Sequence, residues 1–555
     1  MQRRDFLVGA TAAGVLAACG APSAPSSATL SVSGANLALG HRLRKTGAHS
    51  GADFPAPTET RHVDVAVVGG GIGGLAAAWR LAREGVDDFL LVELETDLGG
   101  NSRAGHNAVS AFPLGAHYLP LPPREAIAVR ELLRELGALH GDGSRLADYE
   151  ETLIAAAPQE RLFIDGWWQE GLWPTHRVPA NERAQYARFQ AFVGELRTTR
   201  DVHGRRPFAL PMELSATSDE WRALDRMSFR DWLQRESYSA PGLHWLANYA
   251  TRDDYGTDYT QTSAWAGLHY FGCRGDGKES DLEGHMLTTP GGNAWLAEGL
   301  GRCLKGTGAQ RVIYPALAYR VEENREGVVC DIYLAAENRS VRVQAKALIW
   351  AAPLFLIPHT FVNPLPAWQE LAQRTEYAPW VVVNLTLAAP LMQRTGSPLA
   401  WDNVIYGSDS LGYVVATHQA MRYAPGPTVL TWYRALHEPT HYGPTVPSRQ
   451  HRLFETDPHY WAEVALNDLA RPHPEIRELV TQIHVHSHGH AMIRPVPGTI
   501  WDPARTAIKR GSRRIHFAHA DVSGLSLFEE AMHRGVLAAE STLRRFGLRV
   551  GNALG

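Results

Sequence analysis

Six residues, Gly69-Gly70-Gly71-Ile72-Gly73-Gly74, follow directly on the β-branched run Val63-Asp64-Val65-Ala66-Val67-Val68. They lead into Leu75-Ala76-Ala77-Ala78-Trp79-Arg80-Leu81-Ala82. The chemistry this order can do is to hold a diphosphate. The run reads as a buried parallel strand and the alanine-rich segment as a helix. Gly69, Gly71 and Gly74 fall in the G-x-G-x-x-G spacing, with Ile72 and Gly73 completing the turn. Gly69 permits the tight turn, Gly71 lets backbone approach a pyrophosphate at the helix N-terminus, and Gly74 lets the helix close on the strand. A second strand, Phe89-Leu90-Leu91-Val92, ends in Glu93. An acid about 20 residues past the glycines, at a strand end, suits a ribose hydroxyl pair.

The sequence after Glu93 points to FAD rather than NAD. Thr96-Asp97-Leu98-Gly99-Gly100-Asn101-Ser102-Arg103 resembles the second glycine motif of the FAD-containing amine oxidase-like superfamily. That family runs straight from Gly-Gly into Arg; here Asn101-Ser102 intervene, and the resemblance makes Arg103 the pyrophosphate-side arginine beside Gly99 and Gly100. Phe112-Pro113-Leu114-Gly115-Ala116-His117-Tyr118 resembles the family's segment beside the flavin ring, with Gly115 and Ala116 at the cofactor and Pro113 where an acid often stands. Pro290 to Ala297 resembles the family's Gly-Gly turn, and Leu348 to Pro353 its buried strand ending in Ala-x-Pro. Residues 311–347 alternate apolar and polar and read as a small antiparallel meander. The resemblance places Leu317 or Ala318 of it on the adenine. Ile515 to Ala539 resembles the last FAD motif. There Asp521 faces the ribityl chain, and the following helix, with Glu530 near its start, approaches the flavin.

Two departures bear on chemistry. Many family members place a Lys shortly before a Phe-x-x-Pro-Leu-Pro run; here Phe361 to Pro366 is preceded by Ile357-Pro358-His359-Thr360. The resemblance brings His117 to the catalytic edge of the flavin, and a His works near neutral pH. His117 is therefore the candidate base, with His359 its rival and backbone hydrogen bonding the bland alternative. No Cys follows Cys330, so the FAD is expected to be non-covalent.

The implied fold class is α/β, a Rossmann-type FAD-binding domain (parallel sheet plus meander) interleaved with a mixed α+β substrate domain. The expected divisions are 61–124, 286–365 and 481–545 for FAD binding, and 125–285 and 366–480 for the substrate. The substrate parts carry many aromatics, including Trp167, Trp168, Trp173, Trp245, Tyr249, Tyr255 and Trp265, which collectively fit an apolar chamber over a flavin. Arg252 to Tyr259 mixes carboxylates with tyrosines and reads as a solvated turn before an amine-binding element. His484, His486, His488 and His490 alternate on one strand face about 7 Å apart, so at most two reach one metal and none is assigned.

The chain has 555 residues and a formal net charge of −4, which lacks the basic field of a nucleic-acid binder. Met1-Gln2-Arg3-Arg4-Asp5-Phe6-Leu7 and Leu16-Ala17-Ala18-Cys19 resemble a twin-arginine, lipoprotein-type signal over 1–20 with Cys19 lipidated, followed by a flexible tether over 21–60. The expected partners are the twin-arginine translocon during export, a membrane through the lipid anchor only, a small-molecule substrate, and oxygen or another electron acceptor. The expected location is the periplasm, at the outer membrane in a Gram-negative host. The resemblance implies an FAD-dependent oxidoreductase taking hydride from an amine. A desaturase or isomerase of an apolar isoprenoid or lipid, and a flavin-binding exported factor without turnover, stay open.

Overall fold

The structure, a computed structural model, describes residues 28–45, 53–275, 282, 284–305, 311–420, 424–437, 453–548 and 550. The signal and Cys19 lie outside the described residues.

Two sheets carry the molecule. The first runs Val312–Ile313, Phe89–Val92, Pro57–Val68, Arg339–Trp350, Val328–Leu334, Ala316–Glu323, with Ile515–Phe517 pairing alongside Arg339–Trp350. The first four of these strands pair parallel, as does Ile515–Phe517; the meander pairs antiparallel. The last four residues of the strand before the glycine turn, Val65 to Val68, are apolar and buried because both faces of the sheet are covered there. Val65 and Val67 pack toward helix Ile72–Arg83 and helix Phe528–Arg545. Ala66 and Val68 pack toward helices Pro366–Arg374 and Pro503–Arg510.

The second sheet has eight strands in the order Thr29–Gly34, Val480–Ile493, Tyr377–Leu387, Thr428–Ala435, Tyr413–Val415, Asp402–Ile405, Glu160–Ile164, Trp167–Glu170. Alternation along Tyr377–Leu387 sends Val381, Val383 and Leu385 against helix Pro458–Leu469. Trp380 and Val382 go to the other face, with Tyr249 of helix Pro241–Tyr255. A helical layer from Ala180 to Gly272 closes that side around Phe189, Phe229 and Trp265.

Three expectations need correction. The stretch 21–60 is not all tether. Thr29–Gly34 pairs in parallel with Val480–Ile493, and Leu39, Leu43 and Phe54 pack on Leu317, Tyr319 and Tyr333 of the meander. Thr29-Leu30-Ser31-Val32-Ser33 has strand period, and its serines meet imidazoles of the neighbouring strand. Second, the return to the nucleotide sheet does not begin at 481, because Val480–Ile493 belongs to the eight-stranded sheet. Third, Arg252 to Tyr255 is the last turn of helix Pro241–Tyr255, with Arg252, Asp254 and Tyr255 buried. The helix ends at Gly256, whose φ of 59° supplies the left-handed cap.

Candidate active site

The glycine turn is built by close backbone approach. A Cβ on Gly74 would stand 1.9 Å from the Gly69 carbonyl oxygen, and one on Gly73 would stand 2.0 Å from that of Ala518. A Cβ on Gly535 of the C-terminal helix would stand 2.3 Å from the Gly73 carbonyl oxygen, so Gly73 and Gly535 together let two helices touch. Gly535 was missed by motif reasoning. Gly71 is different: a Cβ there meets only the Gly100 Cα, at 3.9 Å. The Gly99 N–H donates to the Gly70 carbonyl (2.8 Å), so the two glycine motifs form the facing lips of one groove.

Glu93 sits at its end. It accepts from the N–H of Gly70 (2.5 Å) and of Glu95 (2.8 Å). Burial pushes its carboxyl up against those two donors. Arg103 donates to the Gly100 carbonyl (3.1 Å) and lies 3.5 Å from Glu95, on the lip of the groove. Leu317 and Ala318 are buried in the strand whose Ala316 N–H donates to the Glu93 carbonyl (2.7 Å), and the N-terminal segment covers Leu317. Gly115 and Ala116 are held by Asn101, whose carbonyl accepts from the Ala116 N–H (2.8 Å). Asp521 is fully buried. It accepts from Tyr377 Oη (2.5 Å) and the Leu354 N–H (3.1 Å). Burial opposes its charge, but His519, Tyr377 and Leu354 together hold its carboxyl below the usual range. Glu530 is turned to the Met212 N–H (2.5 Å). A groove with backbone lips, an open Gly71 and carboxylates at both ends fits an adenine dinucleotide carrying a ribityl chain.

Beyond Gly115 the chain enters a chamber. The His117 ring stacks on Tyr433 (centroids 4.5 Å) and faces Trp401 (5.6 Å) and Tyr118 (4.8 Å). Tyr118 Oη donates to Asp253 (3.1 Å). Asp402 pairs in parallel register with Glu160 of the next strand, so these two acids stand side by side on one face. Burial, and then Asp254, push Asp253 up to about 7. Burial, Asp253 and Glu160 push Asp402 well above the carboxylate range, and burial raises Glu160. The nearby cation, Arg274, faces Asp254 (3.5 Å) and Glu529 (3.7 Å). Among the described residues no ion pair reaches Asp253, Asp402 or Glu160. Tyr433, 3% exposed, has no hydrogen-bond partner for its hydroxyl among them. The chamber thus offers aromatic faces and three carboxyls without an ion pair of their own, whose charged forms are disfavoured there until a cation enters.

His117 lies in this chamber, but burial lowers it to about 3. It is a neutral imidazole near pH 7, which removes the argument that it titrates there. His359 is elsewhere: it sits on the short helix Ile357–Thr360, its basicity lowered by burial and by Arg44 of the N-terminal segment. The two candidates are not brought together. Motif reasoning missed Asp402 and Glu160, and took Asp253 for a turn residue. The available signal was an acid placed at the start of an apolar strand.

Residues 67–136 match the family of NAD(P)-binding Rossmann-like domains. A Baeyer-Villiger monooxygenase of Pseudomonas aeruginosa is 40% identical over 63 residues, 11% of this chain. The matched stretch spans 12% of that relative's length. Larger likenesses come from solved structures. A redesigned putrescine oxidase superposes with a TM-score of 0.64 at 16% identity, over 87% of this chain and all of the other. Cyclohexylamine oxidase from Brevibacterium oxydans gives 0.63 at 17%, over 87% and 99%. The fold is that of the FAD-dependent amine oxidases. A fatty acid isomerase from P. acnes shares it at 0.57 and 13%, over 85% and 97%. In this amine-oxidase fold the dinucleotide groove takes FAD, and the backbone lips and end carboxylates described above fit that group.

Proposed function

We propose that the protein is an FAD-dependent oxidoreductase whose substrate is an amine bound as a cation in the chamber. One observation carries this: Asp253, Asp402 and Glu160 converge among aromatic rings, and among the described residues none of them has an ion pair, Arg274 being engaged by Asp254 and Glu529. An apolar substrate would leave those carboxyls protonated and without a role, whereas a bound cation would favour their charged forms.

Bound FAD supplies the two-electron acceptor; the rest is done by side chains. Gly71 and the lips at Gly99 and Gly100 admit the pyrophosphate, Glu93 holds the adenosine ribose, Arg103 faces the phosphates and Asp521 the ribityl chain. Tyr433, Trp401 and Tyr118 exclude water and offer π-faces to an ammonium. A bound ammonium favours the charged forms of Asp402 and Glu160 and is held by them in turn, and Asp253 takes the proton that an ammonium must lose before its carbon yields a hydride. A carboxyl titrating at about 7 is matched to that task. His117 is a wall of the chamber, not its base.

The test is anaerobic flavin bleaching with a panel of amines and of apolar alkenes. Bleaching by amines is expected. Bleaching by alkenes alone would instead favour the isomerase-like reading, which the shared fold of the fatty acid isomerase supports. We further propose export by the twin-arginine route and lipidation at Cys19. Arg3→Lys with Arg4→Lys should hold the protein in the cytoplasm, and normal export of that variant would refute the routing.

A further inference from the structure

The N-terminal segment joins the two sheets across the adenosine end of the groove. One end of it is zipped to the eight-stranded sheet. Thr29–Gly34 pairs in parallel with Val480–Ile493, Ser31 Oγ lies 2.9 Å from His484 Nδ1, and Ser33 Oγ lies 2.5 Å from His486 Nδ1. The other end packs on the meander of the nucleotide sheet. Leu39, Leu43 and Phe54 are buried against Leu317, Tyr319 and Tyr333. Phe54 stacks on Tyr319 (centroids 4.3 Å), and the Arg42 guanidinium lies 4.2 Å from the Tyr333 ring. Between the two ends the Asn36 N–H donates to Glu95 Oε1 (2.9 Å). The other oxygen of that carboxylate lies 3.5 Å from Arg103. Leu94 packs against the same apolar cluster. Glu93 therefore has the segment on both flanks, at Leu94 and Glu95 on one side and at Leu317 on the other.

We propose that this segment is a working part of the FAD site, a strap that holds the adenosine half in the groove. It does so by covering Leu317 and by fixing, through Asn36 and Glu95, the place of Arg103. The proposal rests on the FAD reading and goes beyond it, because it gives the site positioning residues that lie outside every glycine motif. A strap suits a groove of this kind. Backbone lips hold a pyrophosphate well, but they offer the adenosine few side chains of their own. Ordering the segment costs conformational entropy, and its contacts with the groove fall at Leu94, Glu95 and Leu317, the adenosine end. Asn36 is fitted to its position. Its side chain caps the next helical turn by accepting from the Leu39 N–H (3.2 Å), which leaves its own N–H for Glu95. Its φ of −71° is one that proline also adopts.

The test compares FAD with FMN, which lacks the adenosine half. The holoprotein is diluted and FAD release is followed by flavin fluorescence; the flavin-free protein is then titrated with each flavin. Asn36→Pro removes the N–H that Glu95 accepts, and Leu39→Asp with Leu43→Asp puts charge against Leu317. Both variants should release FAD about tenfold faster or more and bind it correspondingly more weakly, with FMN affinity at the parental value. Asn36→Ser, which keeps both the cap and the N–H, should behave as the parent. Parental FAD release in both variants would overturn the strap, and so would an equal loss of FAD and FMN affinity, which is the mark of general loosening. Should the variants fold poorly, hydrogen exchange on the parent decides. Amides of residues 29–45 should exchange more slowly with FAD bound than without it, and no change there would overturn the proposal. A parent that took up no FAD at all would sink the cofactor reading and the strap with it, whereas FAD held equally well without the contacts would sink the strap alone.

Discussion

The dinucleotide groove and the acid chamber adjoin at Gly115 to Tyr118, and they are built in opposite ways. The groove is backbone meeting backbone, and its specificity lies in hydrogen atoms where side chains would be. The chamber is side chains meeting side chains, with Glu160, Asp253, Asp402 and Tyr433 contributed by four separated segments. A site of the first kind is local: strand, turn and helix bring Gly69 to Gly74 together in six consecutive residues. A site of the second kind exists only after the eight-stranded sheet has formed, because Asp402 and Glu160 become neighbours through strand pairing alone.

The largest effects should come from the groove, and two glycines separate its parts. Gly73→Ala places a methyl group against the Ala518 carbonyl at 2.0 Å, where no flexible side chain can yield. We expect loss of several kcal/mol, read as poor folding or a steep fall in Tm. Gly71→Val should fold, since a Cβ there is in ordinary contact at 3.9 Å, but purify without flavin because its branches fill the groove. A yellow Gly71→Val protein would show that the nucleotide lies elsewhere.

The chamber should respond in the reverse sense, with flavin retained and substrate lost. Asp402→Asn combined with Glu160→Gln should keep parental flavin content and lower kcat/KM for amines about tenfold to a hundredfold, as expected when a bound cation loses the carboxyls that would ionise against it. An equal loss of flavin would mean that the two regions are not separable.

That contrast also explains what was legible. The parallel sheet, the meander, the glycine turn and Glu93 follow from a β-branched run, a fixed glycine spacing and an acid at a strand end, each of which is a short-range signal. The covered faces of the sheet follow from the end of the same run, because Val65 to Val68, four consecutive apolar residues, leave no side of the strand for water. The strand at Thr29–Gly34 was hidden by its Ser- and Ala-rich setting; its partner lies some 450 residues on, and only the histidines of that partner give its serines a use. Asp253 looked like a turn residue because acids and tyrosines are common in turns. Its half-buried place is decided by the helix that carries it and by Tyr118, 135 residues away.

The smallest effect sharpens the comparison at the point where the regions meet. Asp253 and His117 are both half-buried in the chamber, but the loss of water there acts on them with opposite sign. It raises the acid to about 7 and lowers the imidazole to about 3, in each case toward the neutral form. The folded-state pKa of Asp253 lies above its unfolded value, so the folded protein holds more protons between about pH 4 and 7 and stability falls as pH rises through that window. Asp253→Asn should therefore raise Tm more at pH 8 than at pH 4, by a few kcal/mol of stability at most. It should also abolish the acid limb of kcat/KM, which in the parent falls as pH drops below about 7 and the carboxylate is protonated. His117 is neutral across that whole range, so His117→Asn should leave the limb where it is. It should cost only the stacking on Tyr433, about 0.5–1.5 kcal/mol, seen as a modest fall in Tm with flavin retained. If His117→Asn instead moved or removed the limb, the proton would be passing through the imidazole, and Asp253 would be reduced to orienting Tyr118.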